Sequence, residues 1–94
     1  MPYLLVEYDH DPPITNEQLA ANGAALGPCL QVRSIKRLRS WISMDRKKGC
    51  CEYFAPDAET LREAYHTAKV KFVRVWPAML FEGESPPDIQ PGAS

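Results

Sequence analysis

A surplus of charge of one sign is missing from this chain. Eleven Lys and Arg stand against twelve Asp and Glu, a net of −1 at pH 7. That balance gives no electrostatic footing for nucleic acid as the main partner. Long apolar runs are missing too. None approaches the ~18 residues a membrane helix needs, so no membrane partner is expected. Met1 to Val6 has no basic region and the chain soon turns acidic, which argues against a signal peptide. Cysteine is scarce: three residues, two of them adjacent, make neither a disulfide framework nor a CxxC motif. A reduced, cytoplasmic setting is expected. There is no Gly-rich phosphate loop, no Ser-His-Asp order and no HExxH.

What is present reads as one domain of 94 residues with 45% hydrophobic content. A chain this short buries only about 60–65% of its unfolded surface, so its stability margin is thin and a second copy would add to it. Residues 1–81 form the expected domain. Residues 82–94 hold three prolines and two glycines among few apolar residues and read as a flexible tail.

Tyr3 to Tyr8 is a β-rich run that ends at Asp9-His10-Asp11-Pro12-Pro13. Thr15 with Gln18 fits a capping box, and a helix runs to about Leu26, where Gly27-Pro28 signals a stop. Val32 to Ser43 is extended, Met44 to Gly49 is a polar hairpin loop, and Cys50 to Ala55 is a third strand. Pro56 ends that strand, and Asp57 caps a second helix reaching about Lys69. Phe72 to Phe81 is a fourth strand, and Pro77 gives it an edge position or a bulge. The order β-α-β-β-α-β is that of an α+β, ferredoxin-like fold. It is a four-stranded antiparallel sheet with two helices on one face, and the bare face suggests a dimeric α+β barrel.

Alternation sorts the strand residues between the two faces. Leu4, Val6, Tyr8, Cys51, Tyr53, Ala55, Val73 and Val75 are expected under the helices. Glu7, Arg37, Arg39, Trp41, Glu52, Phe54, Arg74 and Trp76, with Phe72, are expected on the open face. That mixture of carboxylates, guanidinium groups and aromatics has two readings. One is an interface with a second copy, in which Glu–Arg pairs set the register; this is preferred. The other is a ligand cavity with aromatic walls, for which Arg39, Trp41, Arg74 and Trp76 are the binding candidates.

Three clusters bear chemistry. Asp9-His10-Asp11 puts an imidazole between carboxylates and could ligate Ni or another divalent metal, with Cys50 as a further donor. The plainer alternative, a solvated turn, is preferred, because a tripeptide cannot easily aim all its side chains at one ion. Cys50 and Cys51 point to opposite faces, so Cys51 is a core residue and Cys50 the exposed thiol. Glu7 and Glu52 are close if their strands are central; two near carboxylates can divide acid and base roles, and an ion-pair network is the preferred alternative. His66 is expected at the surface of the second helix. The basic run Arg33, Lys36, Arg37, Arg39 alternates with Ser, Ile and Leu and reads as a solvated or paired strand.

Ser40-Trp41-Ile42-Ser43, Asp45 and Cys51-x-Tyr53-x-Ala55-Pro56-x-x-Glu59-x-x-Arg62 resemble a bacterial, nickel-binding-protein-like family of small domains of unknown function. The likeness spans most of residues 1–81. It implies a ferredoxin-like domain that forms dimers and, loosely, nickel binding. Cys51, Tyr53 and Arg62 match family positions. Lys69-Val70-Lys71-Phe72 departs from the usual Gly-Phe-Pro or Gly-Leu-Pro and alters the loop before the last strand. Two functions follow as expectations. The first is a homodimer that binds a metal or a small ligand between sheet faces or near His10. The second is an enzyme of the dimeric α+β barrel type, acting on a small organic substrate in the open-face cavity with Glu7 or Glu52 as base.

Overall fold

The structure, a computed structural model, describes residues 3–84. Strand β1 spans Tyr3–Asp9, helix α1 Asn16–Gln31, strands β2 and β3 Lys36–Ile42 and Lys48–Phe54, helix α2 Ala58–Ala68, and strand β4 Arg74–Ala78. The sheet order is β2-β3-β1-β4 and every pairing is antiparallel. This is the ferredoxin-like arrangement. The tail reading falls on residues 85–94 outside the described part; residues 82–84 carry no regular structure.

Local chemistry sets both helix starts. Thr15 accepts from the Gln18 amide at 3.1 Å, and the Gln18 side chain accepts from the Thr15 amide at 2.9 Å, a complete capping box. Asp57 accepts from the Thr60 amide at 2.7 Å. That bond, made to the charged form, holds the Asp57 carboxyl below its usual range. Helix α2 buries Leu61, Ala64 and Tyr65, and its last turn closes on Lys69 in the left-handed region.

Helix α1 does not stop at Gly27-Pro28. It continues to Gln31 with Pro28 inside. A proline interior to a helix costs about 3 kcal/mol. The extra turn brings Leu30 to 8% exposure and packs Cys29 on the core, so tertiary burial outweighs the local stop signal. Strand β2 starts four residues later than expected, because Val32 is the helix C-cap and Ser34 turns the chain in the left-handed region.

The core lies between the helices and one face of the sheet. Leu4, Val6, Tyr53, Ala55, Leu61 and Tyr65 are all nearly inaccessible. Expectation and structure part in two places on the faces. A bulge at Leu38 puts Arg37 opposite Tyr53 but Arg39 opposite Glu52. An extra residue shifts the side-chain alternation by one, so Arg37 leaves the open face for the helix side. Strand β4 begins only at Arg74, and the assignments of Phe72 and Val73 are reversed. Phe72 packs edge-on against Tyr65 at 5.3 Å, whereas Val73 is 44% exposed. The segment after Lys69 is tied by its Val70 amide to the Tyr65 carbonyl and has not yet entered the strand alternation. Pro77 sits on edge strand β4, where the missing amide leaves no ladder bond unmade on the outer side.

Candidate functional site

On the open face the strands build two matching brackets. Glu52 on β3 accepts from the Trp41 indole at 2.9 Å and pairs with Arg39 at 2.7 Å. Glu7 on β1 accepts from the Trp76 indole at 2.6 Å and faces Arg74 at 3.7 Å. Cys50 stands opposite Glu7 in the register, between the two carboxylates. Burial pushes its thiol pKa up, and the nearby Cys51 and both glutamates push the same way. It is thus held as a protonated thiol rather than an activated thiolate. An open concavity of about 460 Å³ lies over Glu7, Trp41, Cys50 and Trp76. A second, of about 470 Å³, runs along Leu5, Arg39 and Glu52 beside Met79, Leu80 and Phe81. The structure therefore brings Glu7, Glu52, Arg39, Trp41, Arg74 and Trp76 together on one surface. Both carboxylates named as candidate bases are engaged by an indole and a guanidinium.

The Asp9-His10-Asp11 cluster is not brought to Cys50. Asp9 faces Lys48 at 3.6 Å. The His10 ring stacks on Tyr8 at 5.8 Å, at the rim of the helix side, and its backbone amide donates to Lys47. Cys50 belongs to the other face. Among the described residues, no group of three or more His, Cys, Asp and Glu side chains is placed to hold a metal ion.

The helix side holds a feature that strand and helix patterns do not reveal. Helix α1 leaves β2 uncovered: all seven β2 residues are exposed. The gap is a cleft of about 590 Å³ between α1 and the β2–β3 edge, with Ile14, Leu19 and Leu26 on one wall and Ser40 and Cys51 on the other. Beneath it three phenol hydroxyls form a chain, of which only Tyr8 lines the cleft. Tyr8 is hydrogen-bonded to Tyr65, and Tyr65 to Tyr53 at 2.5 Å. Burial raises all three pKa values, Tyr53 to about 12, so the chain stays protonated at neutral pH. For Tyr53, the hydrogen bonds from Tyr65 and Tyr8 and the positive charge of Arg37 pull back against that rise. Beside the chain, Ser40 Oγ and Cys51 Sγ are 3.0 Å apart. Alternation puts Tyr8 and Tyr53 under the helices, and Tyr65 is buried on α2. Nothing local showed that their hydroxyls meet.

Comparison with known proteins agrees with this architecture. The family model described as nickel responsive protein SCO4226-like matches residues 4–77. The crystal structure of SCO4226 from Streptomyces coelicolor A3(2) superposes with a TM-score of 0.75 at 16% identity, over 85% of this chain and 99% of that one. At that identity the match shows the shared fold. No curated protein matches the sequence.

Proposed function

Since this chain belongs to the family of nickel responsive, SCO4226-like proteins, we propose that it is a homodimeric binding domain whose copies meet through the open face of the sheet, and that a divalent metal or small ligand is held at that contact. The observation that carries this reading is the pair of Glu–Trp–Arg brackets around Cys50. A two-fold contact needs a surface complementary to itself. Carboxylates on the two central strands, flanked by guanidinium groups on the two outer strands, offer both signs to a copy, whereas a face of one sign would repel it. Trp41, Trp76 and Leu38 stand at 62%, 40% and 47% exposure on the same surface. Exposed aromatics beside paired charges are the usual composition of a protein contact.

One protomer alone does not fit nickel. Its described residues gather no three-donor set, and Glu7 and Glu52 are already engaged. Two open faces brought together would add a second Cys50 and a second pair of carboxylates at the contact, and a divalent ion there would displace the Cys50 proton and the indole and guanidinium partners of Glu7 and Glu52. Light scattering of untagged protein, with and without nickel, and calorimetric nickel titration test the reading. The expected result is a dimer that takes no more than one ion per two chains and loses it on Cys50→Ala, with His10→Ala as a control that keeps it. A monomer at all concentrations and nickel levels would sink the reading.

A further inference from the structure

The cleft between α1 and β2 opens on the helix side and reaches around the β2 edge to Arg39, Trp41 and Cys50, and its chemistry points elsewhere. Its lining contains no Asp or Glu. It does contain Arg37, which has neither an ion pair nor a side-chain hydrogen bond among the described residues, and His10. The bulge at Leu38 is what carries Arg37 here, opposite Tyr53. The tyrosine chain supplies a second anion-seeking group. The three hydroxyls are bonded to one another. Tyr53 is fully buried and does not reach the cleft, whereas Tyr8 lines it. The remaining wall is apolar, through Ile14, Leu19, Leu26 and Val70. A volume of about 590 Å³ lies in the ordinary range for small-molecule sites.

We infer that this cleft binds a small organic acid with an apolar body, its carboxylate set between the Arg37 guanidinium and the Tyr8 hydroxyl, and its hydrocarbon part against α1. Arg37 supplies the charge and Tyr8 the directed donor. Tyr65, hydrogen-bonded to Tyr8, holds that hydroxyl in place. Gly23 forms part of the α1 wall, and a Cβ added there would meet nothing within 4 Å. The wall is thus open for the ligand's body.

Phenylacetate and 4-methylpentanoate are the probes, with phenylacetamide as the uncharged isostere, read by calorimetry and by backbone amide NMR shifts. Saturable binding of at least one acid is expected, with shifts centred on Gly23, Leu26 and Ser40. Arg37→Gln should weaken it about tenfold, as loss of a charge-assisted hydrogen bond does. Tyr8→Phe should weaken it several-fold, and the amide should bind at least about tenfold more weakly than its acid. Gly23→Leu should block the site while leaving the amide spectrum folded. Arg37 is on an exposed strand, so its variant keeps the test independent of folding. Failure of both acids to saturate, equal binding of acid and amide, or full affinity in Arg37→Gln would each overturn the assignment. None of these outcomes depends on the dimer, because the open face is left untouched.

Discussion

The two faces of the sheet use charge in opposite ways. On the open face Glu7 and Glu52 each meet a guanidinium and an indole, so charge is matched within the surface. On the helix face Arg37 enters a cleft without an acid, and three phenols bond to one another. A face that matches its own charges suits contact with a copy of itself. A face that leaves one cation unanswered suits a ligand. The difference also divides stability from function. Buried phenols hold the helix face together, while the exposed brackets add little, since surface ion pairs contribute roughly 0–1 kcal/mol.

That division can be broken by mutation. Tyr65→Ala should be the most damaging change, because it empties a fully buried aromatic site and strands the hydroxyls of Tyr8 and Tyr53. A loss of about 3–5 kcal/mol is expected in chemical denaturation, whereas Trp41→Ala on the open face should cost less than about 1 kcal/mol in the monomer. Equal losses would erase the comparison.

A smaller effect is expected from alkali. Tyr53 is raised in the folded state to about 12 from an ordinary value of 10.0, and Tyr8 and Tyr65 are raised further. A raised folded pKa stabilises fully below the unfolded value and loses that contribution as pH climbs through the folded one. Stability should therefore hold to about pH 10 and fall between 10 and 12. Thermal melts with tyrosinate absorbance check this; ionisation at pH 10 before unfolding would show the hydroxyl chain to be solvent-accessible.

The smallest effect should come from Gly23→Ala on the cleft wall. The added methyl meets open space, and alanine is favoured over glycine in a helix by about 1 kcal/mol, so the midpoint should rise. A fall would mean that the wall is packed rather than open.

Much of the fold was legible. The capping box at Thr15, the Asp57 cap, the edge position of the Pro77 strand and the alternation of β1 and β3 all stand as read. These are local effects, decided by hydrogen bonds and side-chain period within a few residues. The misreadings share one cause. Pro28 lies within α1 because Leu30 gains burial, Arg37 changes face because one extra residue bulges at Leu38, and Phe72 turns inward because Tyr65 is there to receive it. The open-face group stands as read apart from Arg37 and Phe72, and Phe54 stays there, edge-on to Tyr3 at 5.4 Å. The tyrosine chain was out of reach, since its members are up to 57 residues apart in sequence.

The sequence by itself determined the element order, the caps, the helix and strand periods and the membership of the family, because each depends on short-range chemistry or on a contiguous motif. Tertiary structure alone decided that α1 leaves β2 bare, that Arg37 crosses to the helix side, and that the hydroxyls of Tyr8, Tyr65 and Tyr53 meet. Packing sums contacts between distant segments, and no local period carries that sum.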